Sequence, residues 1–175
     1  MGSLGASKMA YYHGAKVILN TAPFRQFDQG ILKFVDVIVS NETECAQLVG
    51  RKIDTQEALK TATNELSAIV GTVIVTLGGE GVYCPQISDS TLPAYSVNNI
   101  DTTGAGDAFA GIFAAYLARD ESVEESIHYA QVGAAISTTI NGTAPSMPVR
   151  SVIEAARQRQ AKCDNVSNPP FLRLP

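Results

Sequence analysis

Cysteine is scarce in this sequence: Cys45, Cys84 and Cys163 are the only three in 175 residues, far apart and without a Cys-x-x-Cys spacing. An odd, scattered set fits neither a disulfide framework nor a cysteine-based zinc site; it reads as reduced thiols in a cytoplasmic protein. Histidine is scarcer still, and His13 and His128 have no partner at a catalytic spacing, so both read as structural or surface residues. No apolar run approaches the ~20 residues that cross a bilayer. The start, Met1-Gly2-Ser3-Leu4-Gly5-Ala6-Ser7-Lys8, lacks the basic-then-apolar order of a secretory signal, so no membrane partner is expected. Positive charge is also short: thirteen Lys and Arg against seventeen Asp and Glu leave a net charge of −4. That excludes a dominant polybasic surface and makes nucleic acid a poor partner, although helix-start amides can hold phosphate without side-chain charge.

What is present forms a core. Hydrophobic residues make up 45% of the chain and charged residues 17%, enough for one domain or a large piece of one. Lys16-Val17-Ile18-Leu19-Asn20 and Val35-Asp36-Val37-Ile38-Val39 read as buried parallel strands, with Phe24, Phe27, Ile31 and Phe34 suggesting a short crossover helix. From Asp54, capped with Glu57, a helical stripe runs through Ala58, Leu59, Ala62, Leu66, Ile69 and Val70. Strands are expected at Thr72–Leu77 and Val82–Cys84, and helices at Ala108–Ala118, from Ser122 (with Glu125) towards Ile140, and at Val149–Gln160. Gly133-Ala134-Ala135 suggests close helix packing. The expected organisation is a leader, expression scar or abbreviated helix over 1–15, an α/β domain with a mostly parallel sheet over 16–160, and an irregular tail over 161–175.

The chemistry lies in Asp101-Thr102-Thr103-Gly104-Ala105-Gly106-Asp107, directly before an amphipathic helix. Two glycines let the backbone turn and approach a ligand, and unpaired N–H groups at the helix start make a cradle for negative charge. A carboxylate at Asp107 would repel bound phosphate unless its task were to take a proton from an attacking hydroxyl, which is the logic of phosphoryl transfer. The plain alternative is an acidic residue in a first helical turn, which the helix dipole favours without any ligand.

The stretch from Asp101 to Phe109 closely resembles the C-terminal signature of the ribokinase, or PfkB, family of carbohydrate kinases. Asn20-Thr21-Ala22-Pro23 is similar to that family's Asn-Pro-Ala-Pro stretch, with Thr21 in place of proline. Val39-Ser40-Asn41-Glu42-Thr43-Glu44 is similar to its Pro-Asn-x-x-Glu motif, Thr76-Leu77-Gly78-Gly79-Glu80-Gly81 to its Thr-Leu-Gly-x-x-Gly stretch, and Asn141-Gly142-Thr143-Ala144-Pro145-Ser146 to its late glycine loop.

The resemblance implies a three-layer α/β/α fold of ribokinase type and an ATP-dependent kinase that phosphorylates the O5 hydroxyl of D-ribose. It implies Asp107 as general base and Gly104, Ala105 and Gly106 as an anion hole. Asn41 and Glu44 would organise magnesium and the nucleotide phosphates, Glu44 through water; the same pair also has the spacing of a helix-start capping box. Thr76, Gly78 and Gly81 would lie beside the nucleotide, or else form a hairpin turn, and Gln131 would lie near the adenine. A potassium-type ion would sit among Asp101, Thr103, Ser137, Ile140, Gly142 and Ser146, several of them through carbonyls.

The family's N-terminal half, with the first sheet strands, the β lid and the glycine pair that grips the sugar, has no counterpart here. The expectation is therefore a truncated kinase with little activity alone, and self-association or pairing through an exposed sheet edge. Two other readings stay open: a non-catalytic nucleotide-binding or interaction module, and a related kinase of another sugar or nucleoside.

Overall fold

The β-branched runs of the sequence become strands of one sheet. The computed structural model describes residues 3–163, which fall into two units: residues up to Gly78 together with Val82–Leu92, and 79–81 together with the residues from Pro93 onward.

In the first unit the order is α1 (Ser3–Tyr12), β1 (Ile18–Asn20), a 3₁₀ segment (Gln29–Phe34), β2 (Val37–Asn41), α2 (Glu42–Val49), α3 (Gln56–Ser67), β3 (Thr72–Thr76) and β4 (Val82–Tyr83). The strands lie side by side in the order β1-β2-β3-β4. The first three are parallel, with Ile38 opposite Leu19 on one side and Val73 on the other, and β4 runs antiparallel to β3. The mostly parallel sheet expected from the sequence is thus present, with one reversed strand. Parallel strands need apolar residues on both faces, and Val37, Ile38, Val39, Val73, Ile74 and Val75 are all buried. Leu48, Leu59, Leu66 and Val70 join Ile38, Val73 and Val75 in its core.

Local details depart from the sequence pattern. The crossover after β1 is not a helix from Phe24; Asp28 caps only the 3₁₀ segment, its carboxylate accepting the Gly30 N–H at 2.8 Å. Phe24 and Phe27 pack against the core from irregular chain. The α3 cap is Thr55, whose hydroxyl accepts the Ala58 N–H at 3.1 Å, while Asp54 pairs with Lys52 at 3.0 Å. Because α3 ends at Ser67, the following turn swings Ile69 out to 56% exposure and Val70 inward. The first residues, left open between a scar and a helix, form α1, with Leu4 against the core and the Tyr11 ring 5.6 Å from that of Phe34.

The second unit is helical: α4 (Ala105–Leu117), α5 (Val123–Ser137) and α6 (Arg150–Cys163). Ser122 caps α5 by accepting the Glu125 N–H at 3.1 Å, as its spacing indicates. The close packing expected at Gly133 is present, since a Cβ there would stand 2.2 Å from Ile112 Cδ1. Tyr95, Tyr116, Val132, Ile136, Ile153 and Ala156 form one core cluster of this unit. Helix α5 stops before Ile140, and α6 runs past Gln160 to Cys163; the rest of the expected irregular tail lies outside the described residues.

Candidate functional site

Three of the recognised motifs converge at one end of the sheet in the first unit. Asn20 ends β1, Asn41 ends β2 and Thr76 ends β3, and Asn41 and Thr76 are register partners. Ligands of open α/β sheets bind outside the carboxyl ends of parallel strands, where successive loops leave together. The Thr76 hydroxyl donates to the Ser40 carbonyl at 3.3 Å, which fixes it against β2, and Gly78 follows in an exposed turn.

Asn41 and Glu44 do form the capping box that their spacing permits. The Asn41 side chain accepts the Glu44 N–H at 2.8 Å, and Glu44 Oε2 accepts the Asn41 N–H at 3.1 Å. The Thr21 hydroxyl adds a second donor to that oxygen at 3.0 Å, a contact that nothing in the sequence spacing signals. Glu44 Oε1 accepts no hydrogen bond from any described residue. The box therefore does not exhaust the carboxylate: one oxygen anchors α2, and the other is left for water or a cation.

In the second unit, α4 begins at Ala105, three residues before the expected start, so Asp107 lies in its first turn. Gly104 supplies the entry at φ +82°, the left-handed region that glycine adopts without a Cβ penalty. A Cβ there would meet the Thr143 methyl carbon at 3.0 Å. Gly106 differs: its φ is ordinary and a Cβ would meet nothing within 4 Å, so the fold itself makes no demand for glycine at that position.

Of the N–H groups at the head of α4, that of Ala105 donates to the Thr102 carbonyl at 3.2 Å and that of Ala108 to Gly104 at 2.8 Å. Those of Gly104, Gly106 and Asp107 have no acceptor among the described residues. The Asp107 carboxylate is exposed and forms no hydrogen bond or ion pair with a described residue. A helix start with unspent donors and a free carboxylate in its first turn has what an anion site and an adjacent proton acceptor require.

The residues proposed for a monovalent cation behave unequally. Asp101 Oδ1 accepts the Thr103 N–H at 2.9 Å and Oδ2 accepts the Gly142 N–H at 3.0 Å, so this carboxylate ties the two loops together. Donation from the Thr103 side chain, then from the Thr103 and Gly142 amides, holds its pKa below the ordinary aspartate value. The Ser137 and Ser146 hydroxyls are spent on the Ala134 and Thr143 carbonyls, each at 2.7 Å. The Thr103, Ile140 and Gly142 carbonyls accept no hydrogen bond from a described residue. The donors present are all oxygens, as a hard cation requires. Among the described residues no cluster of three or more His, Cys, Asp or Glu is arranged to hold a metal.

Gln131 is buried on α5 rather than presented on an exposed face, and its amide donates to the Pro93 carbonyl at 3.2 Å. Gly81 is also buried, at φ +114°.

A family model described as pfkB family carbohydrate kinase matches residues 6–150. The ribokinase of Haemophilus influenzae is 38% identical over 147 residues, covering 83% of this chain and 48% of that protein. The deoxyribokinase of Salmonella typhi is 38% identical over 139 residues, 78% of this chain and 45% of that one. Among solved structures, Thermotoga maritima ribokinase superposes with a TM-score of 0.75 at 32% identity, over 87% of this chain and 51% of that chain. Arabidopsis thaliana ribokinase, solved with ribose and ATP, superposes with a TM-score of 0.80 at 27% identity, again over 87% and 51%. The chain spans about half the length of the curated relatives it matches.

Proposed function

The chain belongs to the pfkB family of carbohydrate kinases and has its ribokinase-like α/β fold, and on that premise we propose that it carries the phosphoryl-transfer half of an ATP-dependent sugar kinase. Ribose is the proposed acceptor, phosphorylated at O5. The relatives at 38% identity include both a ribokinase and a deoxyribokinase, so the broader class is a small aldose.

The observation that carries the reading is the head of α4, where unspent N–H groups stand beside an unpartnered carboxylate. ATP would supply the phosphoryl group, with magnesium and a monovalent cation offsetting charge. The amides of the Gly104-Ala105-Gly106 stretch would stabilise negative charge as it develops, led by Gly104 and Gly106, whose N–H groups have no other acceptor. Asp107 would take the hydroxyl proton. Glu44 fits magnesium through the oxygen its capping box leaves unused, and magnesium's retention of waters suits that indirect contact. Asn41, Thr76 and Gly78 lie at the strand ends proposed for the nucleotide, with Gly81 assigned to it from its motif and Gln131 from its position in the family resemblance. Asp101, kept ionised, and the free carbonyls of Thr103, Ile140 and Gly142 fit the monovalent ion; the Ser137 and Ser146 hydroxyls are engaged as donors, and their carbonyls, which accept no hydrogen bond from a described residue, are the oxygens they would offer.

The strand-end pairing of Asn41 and Thr76, which stands apart from any acceptor site, supports a second reading, a nucleotide-binding module without turnover of its own. Titration of magnesium-ADP into the chain, followed by an assay of ribose-dependent ADP release, separates the two: binding with release favours the kinase, binding without it the module. Absence of nucleotide binding overturns both. We assign the chain to the cytoplasm; among the described residues no helix is long and apolar enough to cross a membrane. Among the described residues β1 is an end strand of the sheet, paired with β2 alone, and pairing of this edge with a second chain is the proposed route to self-association.

A further inference from the structure

We propose that Thr21 is a positioning residue for magnesium-dependent nucleotide binding, acting through Glu44; this rests on the assignment of Glu44 to the magnesium site. Thr21 directly follows β1, and its N–H continues the β1–β2 ladder by donating to the Val39 carbonyl at 3.1 Å. With the backbone held, the hydroxyl has a defined place. It donates to Glu44 Oε2 at 3.0 Å, with the Val39 carbonyl 3.4 Å away as a weaker alternative. Both residues are buried, Thr21 at 6% exposure and Glu44 at 8%, so the contact is shielded from competing water.

The capping box alone gives Oε2 one donor, the Asn41 N–H, and leaves the carboxylate free to turn about its last side-chain bond. A second donor from another strand fixes the plane of the group. Oε2 is then committed to the protein, and Oε1 is the oxygen presented outward. Proline, which stands here in the family's Asn-Pro-Ala-Pro stretch, has neither a hydroxyl nor an N–H, so this contact belongs to the present sequence. Groups that orient a metal-organising carboxylate from behind typically change metal affinity by ~10–100-fold when removed.

The test is calorimetric titration of ADP into the 175-residue chain, once with excess magnesium and once with EDTA. For Thr21→Val, ADP affinity with magnesium falls by about 10-fold or more and affinity in EDTA is unchanged, while Thr21→Ser keeps the original magnesium increment. Thr21→Ala removes the hydroxyl while leaving space, and gives the same readout if the valine variant does not fold. An unaltered magnesium increment in the valine and alanine variants overturns the proposal, as does an equal loss with and without magnesium, which would mark the hydroxyl as merely structural. If the unsubstituted chain binds ADP in neither condition, the nucleotide reading fails and this one with it; if it binds and only the Thr21 variants are silent, this one fails alone.

Discussion

The Asp101 carboxylate joins two loops forty-one residues apart, receiving the Gly142 N–H at 3.0 Å on one oxygen and the Thr103 N–H at 2.9 Å on the other. It thereby ties down the entry to α4, and the Thr143 side chain stands close to Gly104, where a Cβ would meet its methyl carbon at 3.0 Å. The geometry at the head of α4 depends on this loop pairing as well as on the helix itself.

Those donors depress the Asp101 pKa below its usual 3.8, the Thr103 side chain first and the Thr103 and Gly142 amides after it. A carboxyl with a lowered folded value stabilises the fold above its unfolded pKa, and that contribution is lost as pH falls through the folded value. The tie should therefore be intact from pH 8 down to about 4 and release only below that. Protection factors of the Thr103 and Gly142 amides, followed by NMR hydrogen exchange across this range, check it; loss of protection near pH 6 would contradict it. Asp101→Asn should lower the protection of both amides at neutral pH.

Burial pushes the Cys45 and Cys84 thiols up from 9.0 to about 11. Both raised values favour the folded state below the unfolded pKa, an advantage that fades as pH rises from about 9 towards 11. In a Cys163→Ser background, neither thiol should react with a disulfide reagent at pH 8 until denaturant is added. The denaturation midpoint should fall over the alkaline range. Rapid labelling of the native chain would show that one of these residues is accessible.

Most of the architecture was legible because burial writes itself into composition. Val37–Val39 and Val73–Val75 are apolar at every position, which only a strand covered on both faces requires. The motif at Asp101–Asp107 was equally legible, since glycine, helix start and acid coincide in seven residues. The misses have separate causes. The crossover from Phe24 has helical spacing but no capping and little length, so tertiary packing of Phe24 and Phe27 determined its path. At α3 the cap falls to Thr55, the neighbour of Asp54, whose carboxylate meets Lys52 instead. Thr21 and Glu44 meet only because β1 and β2 lie side by side, a relation between strands that no local spacing carries.

The α4–α5 contact is tight at Gly133, where a Cβ would come within 2.2 Å of Ile112 Cδ1. Gly133→Val should cost about 1–3 kcal/mol through overpacking. Ile112→Ala should itself destabilise by emptying a packed site, yet the double variant should be more stable than the sum of the two predicts, because each change relieves the other. Urea denaturation of the four proteins gives the coupling. Strict additivity would mean that the helices separate to accommodate the new side chain.

Asp107→Asn keeps the size of the side chain and removes its basicity. The residue is exposed and unpartnered, so thermal stability should change little and magnesium-ADP affinity should hold or improve, since a negative charge beside the proposed phosphate site is lost. Ribose-dependent ADP release, measured by a coupled assay, should fall by about 10²–10⁴-fold from whatever rate the chain sustains. Turnover that survives the substitution would remove Asp107 from its role as base, while leaving the amide cradle untouched.

Gly106 separates what the fold requires from what a ligand requires. At Gly104 the left-handed backbone and the nearby Thr143 demand glycine for structural reasons, so loss of function on substitution there would not identify a ligand. At Gly106 neither demand exists, and replacing glycine by alanine in a helix usually stabilises by up to about 1 kcal/mol. Gly106→Ala should therefore melt at the same temperature or slightly higher. If a phosphate lies against the α4 start, the added methyl group intrudes where the ligand approaches, and ADP affinity should drop by about 10-fold or more, the equivalent of one 1.4 kcal/mol step. Differential scanning fluorimetry beside calorimetric titration reads both quantities on one preparation. A variant more stable than the parent and weaker for nucleotide would tie this glycine to the ligand. A variant that binds ADP undiminished would place the phosphate elsewhere and leave Gly106 unexplained by either requirement.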